Sequence, residues 1–506
     1  MIRRKTLYIK NNLVERQKGV SFMKKTVTII LAIALVLSVV ISCVACGDKT
    51  GSKEVPGFDK ENHVITVGNT AATTGAFAGV GVPFNYAQEA YFWYYTTQTD
   101  GYVDADGNKY TIDFKHYDDG FDGTKGMTYT QKLVEDDKIF ALVGHFGTNT
   151  VGATMDYIED CGIPMVYGVT GASDLYNTER NVMTVQPIYD TEGQSMVATA
   201  FAPESVGGLA ATKVGVISTT DEAGKGMLNG IEIEVAKLGK GSSVVYQAVA
   251  ADATDFTAPV TALKTAGCDV VIVAANQAPF IKIANTFVTA AYDNVDIITS
   301  YVSANATAMG GLVATGAITA TREVYAGAWL LTGSAPSETK GWADFMEYCK
   351  IITAYDKAHG NTLLTTYPIE TKDKDGNVIS SYDLFDVYFA TFNTETLAFD
   401  RFDWAKDGIS AYFLNSYAMA GYVSANVFCQ GLTRMSGKDL TWEGFIDAME
   451  DGPINVPMGL QVDYSNGNRI GIDALAVNKY TVANKGVGDV YREITVLKTL
   501  EDAING

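Results

Sequence analysis

The sequence predicts an α/β protein built as two doubly wound lobes with parallel central sheets, joined by a multi-strand hinge. Three observations carry that expectation. Short β-branched runs alternate with helix-length segments from residue 63 onward, the alternation restarts after a break near residue 187, and a strand-like run at 323–330 follows the second series. Strand then helix, repeated, is the pattern of a parallel sheet covered on both faces.

In the first series, strands are expected at 63–67, 111–117, 139–144 and 164–167, and helices at 84–97, 123–135 and 149–160. In the second, strands fall at 213–218, 243–248, 269–274 and 296–300, and helices at 224–238, 256–266 and 277–291. Gln186-Pro187-Ile188 separates the series and 323–330 reads as a returning strand, so crossovers are expected near 187 and 324. This assigns 63–187 plus 325–458 to lobe 1 and 188–324 plus 459–506 to lobe 2. Helical stretches follow at 337–355 and 410–435. Between them, residues 359–406 are polar and aromatic with no clear period and read as an insertion in lobe 1. Two segments, Asp104-Ala105-Asp106-Gly107-Asn108 and Asp373-Lys374-Asp375-Gly376-Asn377, hold part of a calcium-loop pattern. Neither has an acid at both the first and twelfth loop positions, so both read as Asp-Gly hairpin turns.

The N-terminus carries an export pattern. From Met23 a basic head precedes an apolar run of about 15 residues and then small residues with cysteine, shorter than the roughly 20 residues that a spanning helix needs. Residues 23–45 are read as a lipoprotein signal peptide, with Cys46 as the lipidated thiol and Cys43 as the alternative, and 46–62 as a polar tether. Residues 1–22 fit no part of a signal peptide, and 18–23 back-translate to a purine-rich ribosome site before a start codon. Translation is therefore expected to begin at Met23.

Composition narrows the function. At 47% hydrophobic and 19% charged residues the 506-residue chain is globular rather than disordered. Eight of its 38 bases and one of its 58 acids lie in residues 1–45, so the remainder carries a formal charge of −27. Nucleic acid and anionic membrane surfaces would repel it. Cys161, Cys268, Cys349 and Cys429 are scattered among apolar runs and read as buried free thiols, with disulfides as the alternative.

The four histidines (His63, His116, His145, His359) stand far apart, and no H-E-x-x-H, G-x-S-x-G, P-loop or complete G-x-G-x-x-G occurs. No catalytic site, metal site or cofactor is expected. His145, which closes a strand, and Asp118-Asp119, a capping turn at a strand end, read as structural. A ligand is expected beyond the carboxyl ends of the parallel strands, where helix N-termini offer unpaired amides. Gly147-Thr148-Asn149-Thr150 occupies that place after the strand IFALVGH, either binding a ligand or capping the helix. The next strand ends in a similar hydroxylated turn, 167–171.

At these residues the sequence resembles the leucine/isoleucine/valine-binding family, the type I solute receptors of ABC importers. The likeness rests on ITVGNTAATTGAFAGVG, YDDGFDGTKGMTYTQKLVEDDKIFALVGHFGTNT, DCGIPMVYGVTGASDL and DFTAPVTALKTAGCDVVIVAA in that order, and it covers the exported chain except the insertion. The resemblance implies that Thr148 and Asn149, with Val169, Thr170 and Gly171, hold a ligand carboxylate and part of its ammonium, while Ala223, Asn276 and Tyr301 contribute from the far lobe. Here Tyr301 stands where the family has the acid that pairs with the ammonium, and Ala223 and Asn276 where it has aromatic residues. Phe121 and Gly147 occupy the places of a disulfide found in some members. An unpaired buried ammonium is costly, so these departures argue against a branched-chain amino acid as ligand.

The expectation is a lipid-anchored, monomeric, non-enzymatic solute-binding protein on the outer face of the membrane of a Gram-positive-type bacterium. It captures a small polar solute, an amino acid or a related carboxylate or amide, and delivers it to an ABC permease and ATPase. A ligand sensor presenting its closed form to a membrane signalling receptor is the alternative, and an extracellular hydrolase a third. An uncleaved precursor whose N-terminal sequence begins at Met1 would overturn the expected start at Met23.

Overall fold

The computed structural model describes residues 55–482 apart from residue 305, residues 331–339 and parts of 361–407, together with short strands at Arg492–Ile494 and Lys498–Thr499. The expected signal peptide, Cys43, Cys46 and the Asp373 turn lie outside the described residues.

The first lobe is laid down as β1 (Val64–Ala71), α1 (Ala78–Gln98), β2 (Thr111–Asp118), α2 (Gly123–Gln131), β3 (Ala141–Phe146), α3 (Thr148–Cys161), β4 (Met165–Val169) and β5 (Val182–Met183). These strands form a parallel sheet in the order β2-β1-β3-β4-β5, with Ile65 opposite Ile112, Val67 opposite Ala141 and Val143 opposite Val166. The order reverses between β1 and β3. α1 begins before the expected residue 84 and carries Pro83 inside it. A proline costs an interior helix one hydrogen bond, and here α1 keeps its place by packing against the sheet, burying Phe84, Tyr91, Phe92 and Tyr95.

The second lobe repeats the plan with α4 (Tyr189–Phe201), β6 (Val214–Thr219), α5 (Glu222–Lys237), β7 (Val244–Val249), α6 (Thr257–Ala266), β8 (Val270–Ala274), α7 (Gln277–Thr289), β9 (Asp296–Thr299), α8 (Ala306–Ala314) and β10 (Val324–Ala328). The sheet order is β7-β6-β8-β9-β10, closed by the antiparallel β11 (Ala474–Tyr480). The chain then rejoins the first lobe through α9 (Lys340–Ala358), α10 (Ser416–Met435) and α11 (Trp442–Glu450). α10 lies against α1 so closely that a Cβ on Gly421 would sit 2.0 Å from the Phe84 carbonyl oxygen.

Two expected boundaries need correction. β10 pairs in parallel with β9, Ile297 opposite Val324, so 324–328 completes the second sheet rather than opening the return to lobe 1. Residues 459–472 also stay with the first lobe. The Tyr464 hydroxyl donates to the Thr184 carbonyl at 2.5 Å, the Ile472 amide to Val185 at 2.8 Å, and Arg469 binds the Arg180 carbonyl and the Glu450 carboxylate at 2.6 Å each. An apolar run of five residues reads alike in sequence whichever sheet supplies its hydrogen bonds. The insertion opens and closes on an antiparallel pair, Leu364–Thr365 with Ile409–Ser410, and contains the hairpins Ile369–Lys372 with Val378–Tyr382 and Phe389–Asn393 with Ala398–Phe402.

Each sheet is buried on both faces. In lobe 1, Phe84, Phe140, Tyr422 and Phe428 fill one side, while Leu142, Ile158, Ile163 and Met165 fill the other. Lobe 2 is centred on Ile217, Val271, Phe280, Phe287 and Ile297. Burial of each such side chain stabilises by about 1.5–3 kcal/mol. The described cysteines are free, three of them buried and Cys161 part-exposed. Among the described residues no helix is long and apolar enough to cross a membrane. Asp104 closes a turn, accepting from the amides of Asp106 and Asn108 at 2.9 Å each, and the antiparallel bridge of Val103 with Lys109 makes it a hairpin.

α4 is bound to its lobe by a buried carboxyl. Glu192 is fully buried, accepting from the Ser300 hydroxyl at 2.7 Å and the Tyr301 amide at 2.6 Å. Burial pushes its pKa up to about 8, against the lowering effect of those two donors. The folded state thus binds a proton that the unfolded state releases near pH 4.5. The stability this proton confers is complete below pH 4.5 and is lost as pH rises to about 8, at up to about 1.4 kcal/mol per pH unit. The non-titrating Glu192→Gln should lack this slope. Urea unfolding at pH 5 and 7.5 should show the wild type losing stability relative to the variant over that interval.

Candidate functional site

The carboxyl edges of the two sheets face one cleft of about 620 Å³, part of it open to solvent. Its wall follows from strand and helix polarity. Phe121 follows β2, Phe146 and Val169 end β3 and β4, Tyr301 and Val302 follow β9, and Trp329 follows β10. Helices reach the cleft by their first turns: α1 at Phe77 and Val80, α3 at Gly147 and Thr148, α4 at Tyr189, α7 at Asn276 and Gln277, and α10 at Ser416, Tyr417 and Ala420. Gln186, in the crossing between lobes, completes the wall.

The β3–α3 turn shows why these residues suit the site. Gly147 has φ +99° and a Cβ there would lie 2.8 Å from the Phe121 ring, so only glycine permits both the turn and the covering phenyl group. Phe121 in turn stacks on Phe77 at 4.3 Å between centroids. Asp119 holds the adjoining loop, accepting from the Phe121 amide and from the hydroxyls of Thr70 and Thr150 at 2.8 Å each. Asp118 accepts from the amides of Thr73 and Gly120 at 2.9 and 3.1 Å. This acidic pair is the capping turn expected from sequence.

Polar groups line the lobe boundary. The Thr148 hydroxyl lies 2.9 Å from that of Thr170 and 3.2 Å from that of Tyr189. Tyr301 donates to the Pro187 carbonyl at 2.7 Å and accepts from Gln186 at 3.1 Å, and the Tyr417 hydroxyl donates across the cleft to the Val302 carbonyl. Burial raises the pKa of Tyr189, Tyr301 and Tyr417, so all three remain protonated donors. Two solvent-shielded atoms on the wall, Gln277 Nε2 and Ser416 Oγ, have no hydrogen-bond partner among the described residues.

Of the eight ligand positions expected from sequence, Thr148, Val169, Asn276 and Tyr301 line the cleft. Thr170 stands behind Thr148, and Gly171 packs beneath the Tyr189 ring, where a Cβ would lie 2.6 Å from it. Asn149 is exposed, donating to the Phe121 carbonyl at 3.2 Å, and Ala223 is buried in the first turn of α5. These four do not line it. His145 is buried with Nε2 3.0 Å from the Thr154 hydroxyl, and desolvation pushes its pKa down to about 3, so it stays neutral. Sequence reading missed the aromatic wall of Phe77, Phe121, Phe146, Trp329 and Tyr417. A usable signal was present, since each of these aromatic residues ends or follows a strand or stands at the start of a helix.

The periplasmic binding protein family model matches residues 64–344. An amino acid binding protein of Pseudomonas aeruginosa is 26% identical over 208 residues, 40% of this chain and 54% of that relative, so the match spans about half the relative's length. The fatty acid ABC transporter substrate-binding protein from Thermomonospora curvata superposes with TM-score 0.62 at 16% identity, over 90% of this chain and 96% of its own. A possible leucine/isoleucine/valine-binding protein from Rhodopirellula baltica gives TM-score 0.62 at 14% identity, over 90% of this chain and 100% of its own. With two doubly wound lobes, a shared cleft and a family match over residues 64–344, more than half of the chain, the chain belongs to the periplasmic binding protein family.

Proposed function

We propose that this chain is a lipid-anchored extracytoplasmic receptor that captures a small polar solute by closure of its lobes and delivers it to an ABC importer. The observation that carries the reading is the cleft itself. It lies between the two lobes, and its two walls meet through the Tyr417 to Val302 hydrogen bond. Closure is stabilised only by contacts that exist in the closed state. That hydrogen bond is one of them, and a bound solute touching both walls adds others. The name of the Thermomonospora relative supports delivery to an importer, and the cysteine-bearing N-terminal pattern supports the anchor. Of the eight positions expected from sequence, Thr148, Val169, Asn276 and Tyr301 are the proposed ligand contacts, with Tyr189, because they line the cleft. Thr170 and Gly171 support the turn behind them, and Asn149 and Ala223 are not proposed as contacts.

Full-length protein in detergent, screened by thermal shift against amino acids, amides, polyamines, short carboxylates and nucleosides, should show a raised midpoint with its solute. Spin labels on the two lobes should draw together with the same compound, and a solute that binds without any such change would remove the closure mechanism. Tyr417→Phe deletes one cross-cleft hydrogen bond worth about 1 kcal/mol and should weaken solute affinity about fivefold. For the anchor, Cys46→Ser should abolish incorporation of labelled palmitate while Cys43→Ser retains it, and the reverse result would transfer the lipid to Cys43.

A further inference from the structure

We infer that the cleft takes a monocarboxylate with an apolar, aromatic body and no ammonium group, its head bound by Gln277 and Ser416. This rests on the reading of the cleft as a solute site and specifies the solute.

The cleft is neutral in side chains and electropositive in backbone. Among the described residues, none that line the cleft is Asp, Glu, Lys, Arg or His. Glu192 and Asp221, close in sequence to lining residues or bonded to them, are committed elsewhere. Glu192 uses both oxygens on Ser300 and Tyr301. Asp221 caps α5, accepting from the Gly224 amide at 3.1 Å and the Thr219 hydroxyl at 2.6 Å, and its second oxygen lies 3.4 Å from Asn276 Nδ2. Tyr301 has its proton on Pro187 and an acceptor lone pair on Gln186. An ammonium group entering here meets no anion among the described lining residues. It also meets helix N-termini of α1, α3, α4, α7 and α10, each carrying partial positive charge.

A carboxylate meets the opposite conditions. The same five helix ends attract it, and Gln277 Nε2 and Ser416 Oγ are shielded donors without a partner among the described residues. Buried polar atoms in native structures are ordinarily paired, so these two shielded donors on the wall, one from lobe 2 and one from the returning segment of lobe 1, are where the carboxylate is placed. The rest of the solute faces phenyl and indole surface, with the Phe77 and Phe121 stack on one side and Trp329 on another. Flat apolar bodies are matched by such walls.

The test compares 3-phenylpropanoate, phenylalanine and 3-phenylpropanamide by calorimetry on the full-length protein. The first two differ only by the ammonium group, the first and third by the charge of the head. The carboxylate should bind at least about tenfold tighter than either, and Gln277→Ala or Ser416→Ala should each weaken it about tenfold, the effect expected for one charge-assisted hydrogen bond. Because neither atom has a partner among the described residues, both variants should melt as the wild type does without ligand. Equal or tighter binding of phenylalanine or of the amide overturns the inference, as does unchanged carboxylate affinity in both variants. If a different solute from the broad screen binds and closes the lobes, the inference falls while the receptor reading stands. If nothing in either panel binds, both fall.

Discussion

A parallel sheet has one edge where every strand ends and every following helix begins, and the site depends on that polarity. Two such edges confront each other here, so the cleft is walled by strand ends and by the opening turns of α1, α3, α4, α7 and α10. The polarity supplies amide donors and positive potential without any charged side chain. It also explains the glycine and hydroxyl residues at the turns. Gly147 must turn sharply and admit the Phe121 ring, and Thr148 must pair its hydroxyl with Thr170 and Tyr189.

The first crossing is tied to the returning segment of its own lobe by buried polar contacts, while one apolar cluster that includes Tyr167, Trp329, Met227 and Ile272 continues from the first lobe into the second. The first crossing and the segment before β11 run side by side, tied through Tyr464 to Thr184 and Ile472 to Val185. Arg469 is 2% exposed and spends its guanidinium on the Arg180 carbonyl and the Glu450 carboxylate, and Glu450 is held below the usual carboxylate range by Arg180 and Arg469 despite partial burial. Such an ion pair is costly to break from one side, which makes the base of the hinge rigid. Tyr301 links hinge to site. Its backbone amide is fixed by Glu192 and its hydroxyl by Pro187 and Gln186, so the ring that lines the cleft is set by the crossing itself.

An acidic protein with an uncharged cleft is a consistent arrangement. The surplus carboxylates near the site are absorbed by local structure: Asp118 and Asp119 by the turn after β2, Asp221 by the start of α5, and Glu192 by burial in its protonated form. Carboxylates satisfied by amides and hydroxyls at strand ends hold loops in shape at little cost, whereas a bare acid on an apolar wall would carry a large desolvation penalty. The result is a pocket whose electrostatics come from backbone dipoles and a few neutral donors.

The sequence by itself determined the repeating strand and helix order, because burial on both faces forces β-branched runs such as Val270–Ala274 and leaves amphipathic segments such as Gln277–Thr289 to cover them. It also placed a small, hydroxylated turn at Gly147 and Thr148 after β3, while the positive φ of Gly147 emerged only in the structure. Tertiary structure alone decided which sheet β10 joins, because hydrogen-bond partners across a sheet leave no mark on a short apolar run. It alone brought Ser416 and Tyr417 to the site from a segment that returns after the insertion, more than 260 positions after Thr148. It also set Ala223 and Asn149 aside, one into the core and the other into solvent. Spacing along the chain fixes what each element is, but the direction in which a side chain leaves its turn depends on the neighbour packed against it.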